Sequence, residues 1–260
     1  MKIDFVKYQG TGNDFVIIDN RLKQYSKLPF KKLCDRRFGI GADGLMLLEQ
    51  VTGYDFKMVY YNSDGNESTM CGNGGRCLTA FAHKLGLGKN GRFHFLAIDG
   101  EHQAIVLPHN IVSLKMNDVT CIKNEKSDFT LDTGSPHYTR FVNDVQSIDL
   151  LNEARAVRYS SPYSEKGINV NFIQIQNHNE LAVRTYERGV EDETLSCGTG
   201  VTACAIAYAE KSGLPNGANE VHIHTPGGQL MVSFHKAENK YEEIWLTGPA
   251  TEVFSGVIEI

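Results

Sequence analysis

The sequence contains one long motif twice, and this repeat constrains the fold more than any other feature. The first copy is Met70–Leu87 and the second is Ser196–Leu214, with one residue inserted in the second copy. The residues that align are Cys71 with Cys197, Gly72 with Gly198, Gly74 with Gly200, Cys77 with Cys204, Ala80 with Ala207, and Gly86-Leu87 with Gly213-Leu214. Internal similarity of this length predicts two related halves.

Each copy is typical of a loop that leads into a helix. It opens with Cys-Gly-x-Gly, continues as an Ala-rich apolar segment of helical length, and ends at a glycine where a left-handed C-cap belongs. A helix N-terminus attracts anions and lowers the pKa of a cysteine held there. The repeat therefore predicts two activated thiols, Cys71 and Cys197, at two anion-binding helix ends.

Length and composition favour a two-domain globular protein. The 260 residues are enough for two domains of ordinary size, each with its own core. A net charge of −5 gives no reason to expect a nucleic acid partner. The sequence lacks the apolar core of a signal peptide and any apolar run of membrane-spanning length, so we expect no membrane association and a cytoplasmic location.

Strand-like and helical segments follow the same plan in both halves. In the first half they are Lys2 to Tyr8, Phe15 to Asp19, a short helix from Pro29 to Arg37, Leu45 to Glu49, Phe56 to Tyr60, Arg92 to Ala97, His102 to Leu107 and Ile111 to Met116. In the second half they are a strand after Gly134, a helix from Ile148 to Arg158, Gly167 to Gln174, Leu181 to Gly189, Val221 to His224, Gly227 to Val232 and Glu243 to Leu246. We place the boundary near Asn117.

Two short glycine-containing segments are considered as ligand-binding loops. Asn13 follows Gly12 at the start of a strand, where it is either a turn residue with left-handed geometry or an amide directed at a ligand. The segment from Gly39 to Gly44 matches Gly-x-Gly-x-x-Gly, but it precedes a strand, so a dinucleotide site is excluded by context.

The six cysteines do not form a recognisable metal or disulfide pattern. The spacings Cys71-x5-Cys77 and Cys197-x6-Cys204 are longer than those of structural zinc sites and of redox pairs, so we expect no metal. Cys34, Cys77 and Cys204 lie in apolar helical segments and are predicted to be core residues. Only Cys71 and Cys197 are predicted to be chemically active.

His137 and Glu187 are the titratable residues with two open interpretations. His137 follows Ser-Pro at the start of a strand, and Glu187 precedes Arg188, so they could be a strand residue and half of a solvated ion pair. They could equally set the protonation state of the two thiols.

Two thiols at helix ends suit the removal of a proton from a carbon beside a carboxylate. Such a carbon is a weak acid, and its deprotonation places negative charge on the carboxylate, which backbone donors at a helix N-terminus stabilise. A thiolate on one face would remove the proton while a thiol on the other face delivers one. The stereocentre would then invert.

Taken together, the motifs of the chain resemble those of diaminopimelate epimerase, in order and over nearly the whole length. The matching segments are Gly12-Asn13-Asp14-Phe15, Tyr61-Asn62-Ser63-Asp64-Gly65, Cys71-Gly72-Asn73-Gly74-Gly75-Arg76, Ser135-Pro136-His137, Asn169-Val170-Asn171-Phe172, Tyr186-Glu187-Arg188-Gly189 and Cys197-Gly198-Thr199-Gly200. The resemblance implies a cofactor-independent epimerase that interconverts L,L- and meso-diaminopimelate by a two-base mechanism, in lysine and peptidoglycan precursor synthesis.

The resemblance also implies roles for individual residues. Cys71 and Cys197 would be the acid/base pair, and His137 and Glu187 would modulate them. The residues that would contact substrate are Asn13, Asn62, Gly72, Asn73, Ser135, Asn169, Glu187, Arg188, Gly198 and Thr199. Two positions depart from the family pattern: many members carry Asn at Ser135, whose hydroxyl can still form a hydrogen bond, and some carry Gln at Gly44.

The implied fold is of the α/β type (α+β), with two pseudo-symmetric domains that are each a curled, mostly antiparallel sheet around a central helix. The domains would be residues 1–117 and 118–251, with a C-terminal strand at about 252–260 that returns to the first. No cofactor is implied, and a homodimer is the candidate oligomeric state.

Two alternative functions are a related racemase with another substrate and a protein that is not an enzyme. A proline or hydroxyproline racemase resembles this chain, but that family has Met-Cys-Gly-His-Gly at the first thiol, where this chain has Asn73. A non-catalytic anion-binding module would use the helix ends alone.

Overall fold

The computed structural model describes residues 1–25, 27–238 and 240–260. Contacts divide the chain into two compact units. The first unit is Met1–Leu114 with Gly248–Ile260, and the second unit is Lys115–Thr247.

The helices and strands alternate in the same manner along both units. Those that begin in the first 114 residues are β1 (Lys2–Gly10), β2 (Asn13–Asp19), α1 (Phe30–Cys34), β3 (Gly44–Glu49), β4 (Phe56–Asn62), β5 (Glu67–Ser68), α2 (Gly72–Lys84), β6 (Arg92–Ala97), β7 (Gly100–Leu107) and β8 (Ile111–Lys115). The later ones are β9 (Ile122–Glu125), β10 (Asp128–Asp132), β11 (Pro136–Phe141), α3 (Leu150–Arg158), β12 (Asn169–Asn177), β13 (Glu180–Glu187), β14 (Asp192–Thr194), α4 (Gly198–Lys211), β15 (Gly217–Thr225), β16 (Gly228–Ala237), β17 (Lys240–Pro249) and β18 (Thr251–Glu259).

In the first unit the strands pair in the order β18-β1-β2-β3-β4-β6-β7-β8, with β5 added to β4. The pairs β2/β3 and β4/β6 are parallel and the others are antiparallel. The C-terminal strand β18 lies along β1, with Lys2 opposite Glu259 and Gln9 opposite Thr251.

The second unit has the same strand order and the same directions. Its pairs run β9-β10-β11-β12-β13-β15-β16-β17, with β14 added to β13, and only β11/β12 and β13/β15 are parallel. The mixed α/β fold with two related, mostly antiparallel domains, each with a central helix, is therefore confirmed.

Each repeated motif forms the central helix of its unit, and this helix packs against the strands of that unit. Helix α2 packs on β1, β2, β3, β4 and β7, and all its residues from Gly72 to Thr79 are buried. Helix α4 packs on β10, β11, β12, β13, β15 and β16, and it is buried from Gly200 to Ala209. Small residues at these positions let the helix axis approach the sheet closely, which explains the Gly- and Ala-rich repeat.

Both helices end as the glycine signal predicts. Gly86 has φ +75° and Gly213 has φ +63°, and the following leucines donate from their backbone N–H to Ala82 and Ala209, five residues back. This is the 6→1 hydrogen bond of a Schellman motif.

Two predicted helices are longer than the structure shows. Helix α1 ends at Cys34 instead of Arg37, because the Asp35 carboxylate accepts from the N–H groups of Arg37 and Phe38 and forms a turn there. Helix α3 starts at Leu150, since Asp149 is its N-cap and accepts from the Asn152 N–H.

Candidate active site

The first half of the candidate site is built at the start of α2. Cys71 is the N-cap of this helix and is half-buried, while Gly72 and Asn73 behind it are buried. The Cys71 thiol donates to Asn13 Oδ1 (3.7 Å between Sγ and Oδ1), and Asn73 Nδ2 donates to the same oxygen (3.3 Å). The structure thus brings Cys71, Asn13 and Asn73 together.

Asn13 is not the left-handed turn residue that its sequence context allows. The positive φ angles of this turn belong to Thr11 (49°) and Gly12 (85°), and Asn13 begins β2. Asp43 fixes the orientation of this side chain, since Asn13 Nδ2 donates to Asp43 Oδ2 (2.7 Å). The amide therefore presents its oxygen to the thiol.

An ion-pair cluster that sequence analysis did not identify supports Asn13. Arg36 donates two hydrogen bonds to the Asp14 carboxylate and one to Asp43, and Lys7 pairs with Asp14 at 2.7 Å. Burial alone would raise the pKa of Asp14, but hydrogen bonds from Arg36 and Lys7 hold it well below its usual range. Asp43 is thereby fixed between a cation and the amide of Asn13.

Arg76 is a buried cation within α2, and its role was also missed. It has no solvent exposure, and its guanidinium donates to Asn73 Oδ1 (3.0 Å) and to Thr11 Oγ1 (3.4 Å). Burial lowers the pKa of Arg76, and the neighbouring thiols of Cys77 and Cys71 oppose that shift. A positive charge in this place orients the Asn73 amide and favours negative charge on the nearby sulfur.

Asn62 and Gly44 lie side by side at the ends of neighbouring strands. Asn62 is the last residue of β4 and is exposed, and it pairs with Gly44, the first residue of β3. On its other side Gly44 pairs with Phe15 of β2.

The second half of the candidate site is built at the start of α4 in the same way. Cys197 is the N-cap of this helix and is buried. Its sulfur lies 3.5 Å from Thr199 Oγ1, which lies 2.9 Å from His137 Nε2. The Thr199 carbonyl accepts from Thr133 Oγ1 (2.8 Å), which fixes the first turn of the helix.

The hydrogen bonds around His137 define its tautomer. Asn171 Nδ2 donates to Tyr138 O (3.0 Å), and Thr185 Oγ1 donates to Asn171 Oδ1, so the orientation of this amide is set. Because Asn171 Nδ2 also lies 3.1 Å from His137 Nδ1, that ring nitrogen accepts and Nε2 carries the proton. His137 then donates to Thr199, whose hydroxyl is left to donate to Cys197.

His137 is neutral at ordinary pH. Burial, with a further contribution from the positive charge of Arg188, lowers the pKa of His137 to about 3. The ring is joined to the Cys197 sulfur through the Thr199 hydroxyl.

The buried histidine predicts acid sensitivity. Its folded-state pKa lies below the ordinary value of about 6.5, so the unfolded chain binds the extra proton, and stability is complete above pH 6.5 and falls toward pH 3. Each pH unit below 6.5 should cost up to about 1.4 kcal/mol at this group. Urea denaturation at several pH values should show that the stability gap between wild type and His137→Gln narrows as pH falls from 6.5. The exposed His178→Gln is the control. Parallel curves for wild type and His137→Gln would contradict the assignment.

The remaining predicted residues form a polar group at the ends of β12 and β13. Asn169 Nδ2 donates to Ser135 Oγ (2.9 Å), and Arg188 Nη2 lies 3.3 Å from the same hydroxyl. The Arg188 N–H donates to Asn169 Oδ1 (2.9 Å). Glu187 accepts from Thr194 Oγ1 (2.5 Å), on the adjacent strand β14.

Three of the other cysteines, Cys34, Cys77 and Cys204, are buried thiols. Burial raises the pKa of Cys77 to about 12, that of Cys34 to about 11 and that of Cys204 well above its usual value. All three are buried, as predicted. They remain protonated thiols.

The difference between buried and accessible thiols predicts selective alkylation. Iodoacetamide reacts with thiolates, so at pH 8 the native protein should be labelled at the half-buried Cys71 and the exposed Cys121 while Cys34, Cys77 and Cys204 stay unlabelled. Peptide mass mapping with and without urea gives the comparison. Labelling of native Cys77 or Cys204 at the rate of Cys121 would contradict it.

Among residues 1–25, 27–238 and 240–260, no three His, Cys, Asp or Glu side chains are grouped as metal ligands would be. Within the same part of the chain, no helix is long and apolar enough to span a membrane.

Solved structures share this fold. A phenazine biosynthesis protein of the PhzF family from Bacillus anthracis superposes with a TM-score of 0.79 at 13% identity, covering all of both chains. A hydroxyproline epimerase from Agrobacterium vitis superposes with a TM-score of 0.71 at 12% identity, covering 99% of this chain and 91% of its own. The fold is thus that of a class of α/β proteins that includes amino-acid epimerases.

Sequence comparison defines the family within this class. The diaminopimelate epimerase family model matches residues 5–121 and 129–253. The diaminopimelate epimerase of Flavobacterium psychrophilum is 52% identical over 255 residues, or 97% of this chain and 98% of its own. That of Chlorobaculum tepidum is 39% identical over 259 residues, or 96% and 99%. The chain belongs to the diaminopimelate epimerase family, so the resemblance seen in the sequence is confirmed and the protein is an isomerase.

Proposed function

We propose that the protein interconverts L,L-diaminopimelate and meso-diaminopimelate without a cofactor, in lysine and peptidoglycan precursor synthesis. Family membership supports the substrate. The observation that carries the mechanism is that Cys71 and Cys197 are each the N-cap of the central helix, at the same place in two units of the same topology.

The two thiols have complementary hydrogen bonds. Asn13 Oδ1 can only accept, so this contact suits a protonated Cys71 thiol, whereas the chain from His137 through Thr199 supplies a donor to Cys197 and suits a thiolate. In this state Cys197 is the base and Cys71 is the acid.

The proposed reaction conserves protons and leaves the enzyme in the opposite state. The thiolate of one cysteine takes the α-proton, and the electron pair of the broken C–H bond delocalises into the adjacent carboxylate. The thiol of the other cysteine then forms the new C–H bond on the opposite face. The first turn of each helix has N–H groups with no carbonyl four residues earlier in the helix, and these stabilise the carboxylate charge as it develops.

We propose that the residues implied by the family resemblance bind the substrate. Those from the first unit are Asn13, Asn62, Gly72 and Asn73, and those from the second are Ser135, Asn169, Glu187, Arg188, Gly198 and Thr199. Arg188 is the cation among them and suits a carboxylate, while the carboxylate of Glu187 suits an ammonium group. Ser135 is included because Asn169 and Arg188 both contact its hydroxyl.

The function is tested by incubating purified protein with L,L-diaminopimelate, without pyridoxal phosphate or added metal, and separating the stereoisomers by chiral chromatography. We expect the meso form to accumulate to equilibrium. Proline and trans-4-hydroxyproline serve as parallel substrates. Turnover of these but not of diaminopimelate would establish the proline-type alternative. If no substrate turns over but diaminopimelate binds in calorimetry, the anion-binding alternative stands.

We further propose that the enzyme acts in the cytoplasm as a homodimer, and that the two compact units are its two catalytic halves. The proposed pathway supports the location, since its substrate is a small biosynthetic amino acid. Sedimentation equilibrium measures the oligomeric state, and a monomer at micromolar concentration would contradict the dimer.

A further inference from the structure

Gly44 is a glycine because a tyrosine occupies the space of its side chain. A Cβ built on Gly44 would lie 2.5 Å from Cε2 and 2.9 Å from the hydroxyl oxygen of Tyr60, and 2.8 Å from the Tyr61 carbonyl. The φ angle of Gly44 is not positive, so backbone conformation does not require glycine here. The requirement is close approach of the Tyr60 ring and of the Tyr61 carbonyl.

Tyr60 lies on the face of the sheet that carries the first half of the candidate site. Side chains alternate along a strand, so Met58, Tyr60 and Asn62 of β4 share one face. Met58 Cε lies 3.5 Å from the Cβ position of Gly74 in α2, which shows that this face is turned to the helix. The Tyr60 ring also meets Phe15 edge to face, with centroids 6.0 Å apart.

The ring of Tyr60 leans toward the end of the strand where the proposed substrate-binding residues are. In the sheet Tyr60 is opposite Met46, while Gly44, against which its hydroxyl lies, is opposite Asn62. Gly44 also pairs with Phe15, the second residue after Asn13. The hydroxyl is therefore placed beside Gly44, between the strand that begins with Asn13 and the strand that ends with Asn62.

We propose that the Tyr60 hydroxyl is a further substrate-binding group, which takes the place of a side chain at position 44 and hydrogen-bonds an amino or carboxylate group of the substrate. A phenol hydroxyl donates one hydrogen bond and accepts another, so it can serve the protein and a ligand at once. The inference rests on the proposed function, because the substrate it names is diaminopimelate.

The test is Tyr60→Phe, which removes the hydroxyl and keeps the ring that packs on Gly44 and Phe15. Loss of one neutral hydrogen bond corresponds to roughly a 3- to 10-fold rise in KM for L,L-diaminopimelate, with kcat near the wild-type value. The matched control is Tyr61→Phe, since Tyr61 stacks on Phe30 on the opposite face (centroids 3.8 Å apart) and should leave KM unchanged.

A double-mutant cycle links the hydroxyl to position 44. Gly44→Ala displaces the ring and should also raise KM, and adding Tyr60→Phe to it should cause no further rise if the hydroxyl has already been moved. A Tyr60→Phe variant whose KM equals that of wild type overturns the inference, and a lowered melting temperature with unchanged KM would make the hydroxyl a structural group only. A wild-type protein that does not turn over diaminopimelate overturns the proposed function instead, so the two failures are distinguishable.

Discussion

Replacing either helix-capping cysteine by serine should abolish most epimerisation. A serine hydroxyl is a much weaker acid than a thiol, so it donates a proton poorly. Its deprotonated form is almost unpopulated near pH 7, so it cannot replace a thiolate as the base. General acid–base groups contribute about 10²- to 10⁴-fold, so we expect kcat to fall by at least that range for Cys71→Ser and for Cys197→Ser. The measurement is meso-diaminopimelate formation from the L,L isomer, with the melting temperature as a check of folding.

The repeat provides the matched controls. Cys77→Ser and Cys204→Ser change the aligned cysteines within the same two helices, where both side chains are fully buried. They should cost stability, since a hydroxyl replaces a buried thiol, but leave kcat of the folded protein near wild type. Full epimerase activity in either Cys71→Ser or Cys197→Ser would contradict the roles assigned to these thiols.

Gly200→Ala should cost about 100-fold in kcat, the effect of displacing a reacting group by about 1 Å. A Cβ at Gly200 would lie 2.6 Å from Asn171 Oδ1 and 3.3 Å from Cys197 Sγ. The Asn171 side chain cannot move freely, because it is hydrogen-bonded to His137, Tyr138 and Thr185. The first turn of α4, and with it Cys197, must shift instead.

The equivalent glycine of the first half gives the opposite expectation. A Cβ at Gly74 meets Met46 Sδ at 3.2 Å, Met58 Cε at 3.5 Å and Phe15 Cε1 at 3.6 Å, and methionine side chains adjust readily. Gly74→Ala should keep kcat within a few-fold of wild type. The measurement is kcat of Gly74→Ala and Gly200→Ala, assayed side by side. Equal losses of kcat in the two variants would show that Asn171 does not constrain the first turn of α4.

The repeat in the sequence predicted much of this fold because it carries three local signals at once. The cysteine at the N-cap, the small residues that allow a buried helix and the glycine at the C-cap each follow from backbone geometry, and α2 and α4 show all three. Most of the strands between them were predicted from alternation, but β9 and β10 were not predicted, and the short β5 and β14 carry too few residues for a pattern.

Pairing between distant segments could not be read from the residues alone. Strand β18 lies along β1 although nearly the whole chain separates them, and no local pattern encodes that partner. Only the family resemblance pointed to a returning C-terminal strand.

The supporting residues were missed for the same reason. Asp43 and Arg36 resemble ordinary surface charges in sequence, and Tyr60 resembles a core aromatic, until the sheet places them beside Asn13 and Gly44. Arg76 offered one signal that could have been used, because a charged residue within an otherwise apolar, buried helix needs a polar partner nearby.

Isotope placement at low conversion distinguishes two thiols that share the proton transfer at one substrate carbon from a single group that serves both faces. Wild-type protein equilibrated in deuterated water is given L,L-diaminopimelate, the reaction is stopped at a few per cent conversion, and the two isomers are separated for mass spectrometry. Two thiols predict deuterium at the α-carbon of the meso product and almost none in the recovered substrate, because one cysteine removes the proton and the other delivers a deuteron. Equal deuterium in recovered substrate and product would mean that one group serves both faces, and it would rule out the two-thiol mechanism.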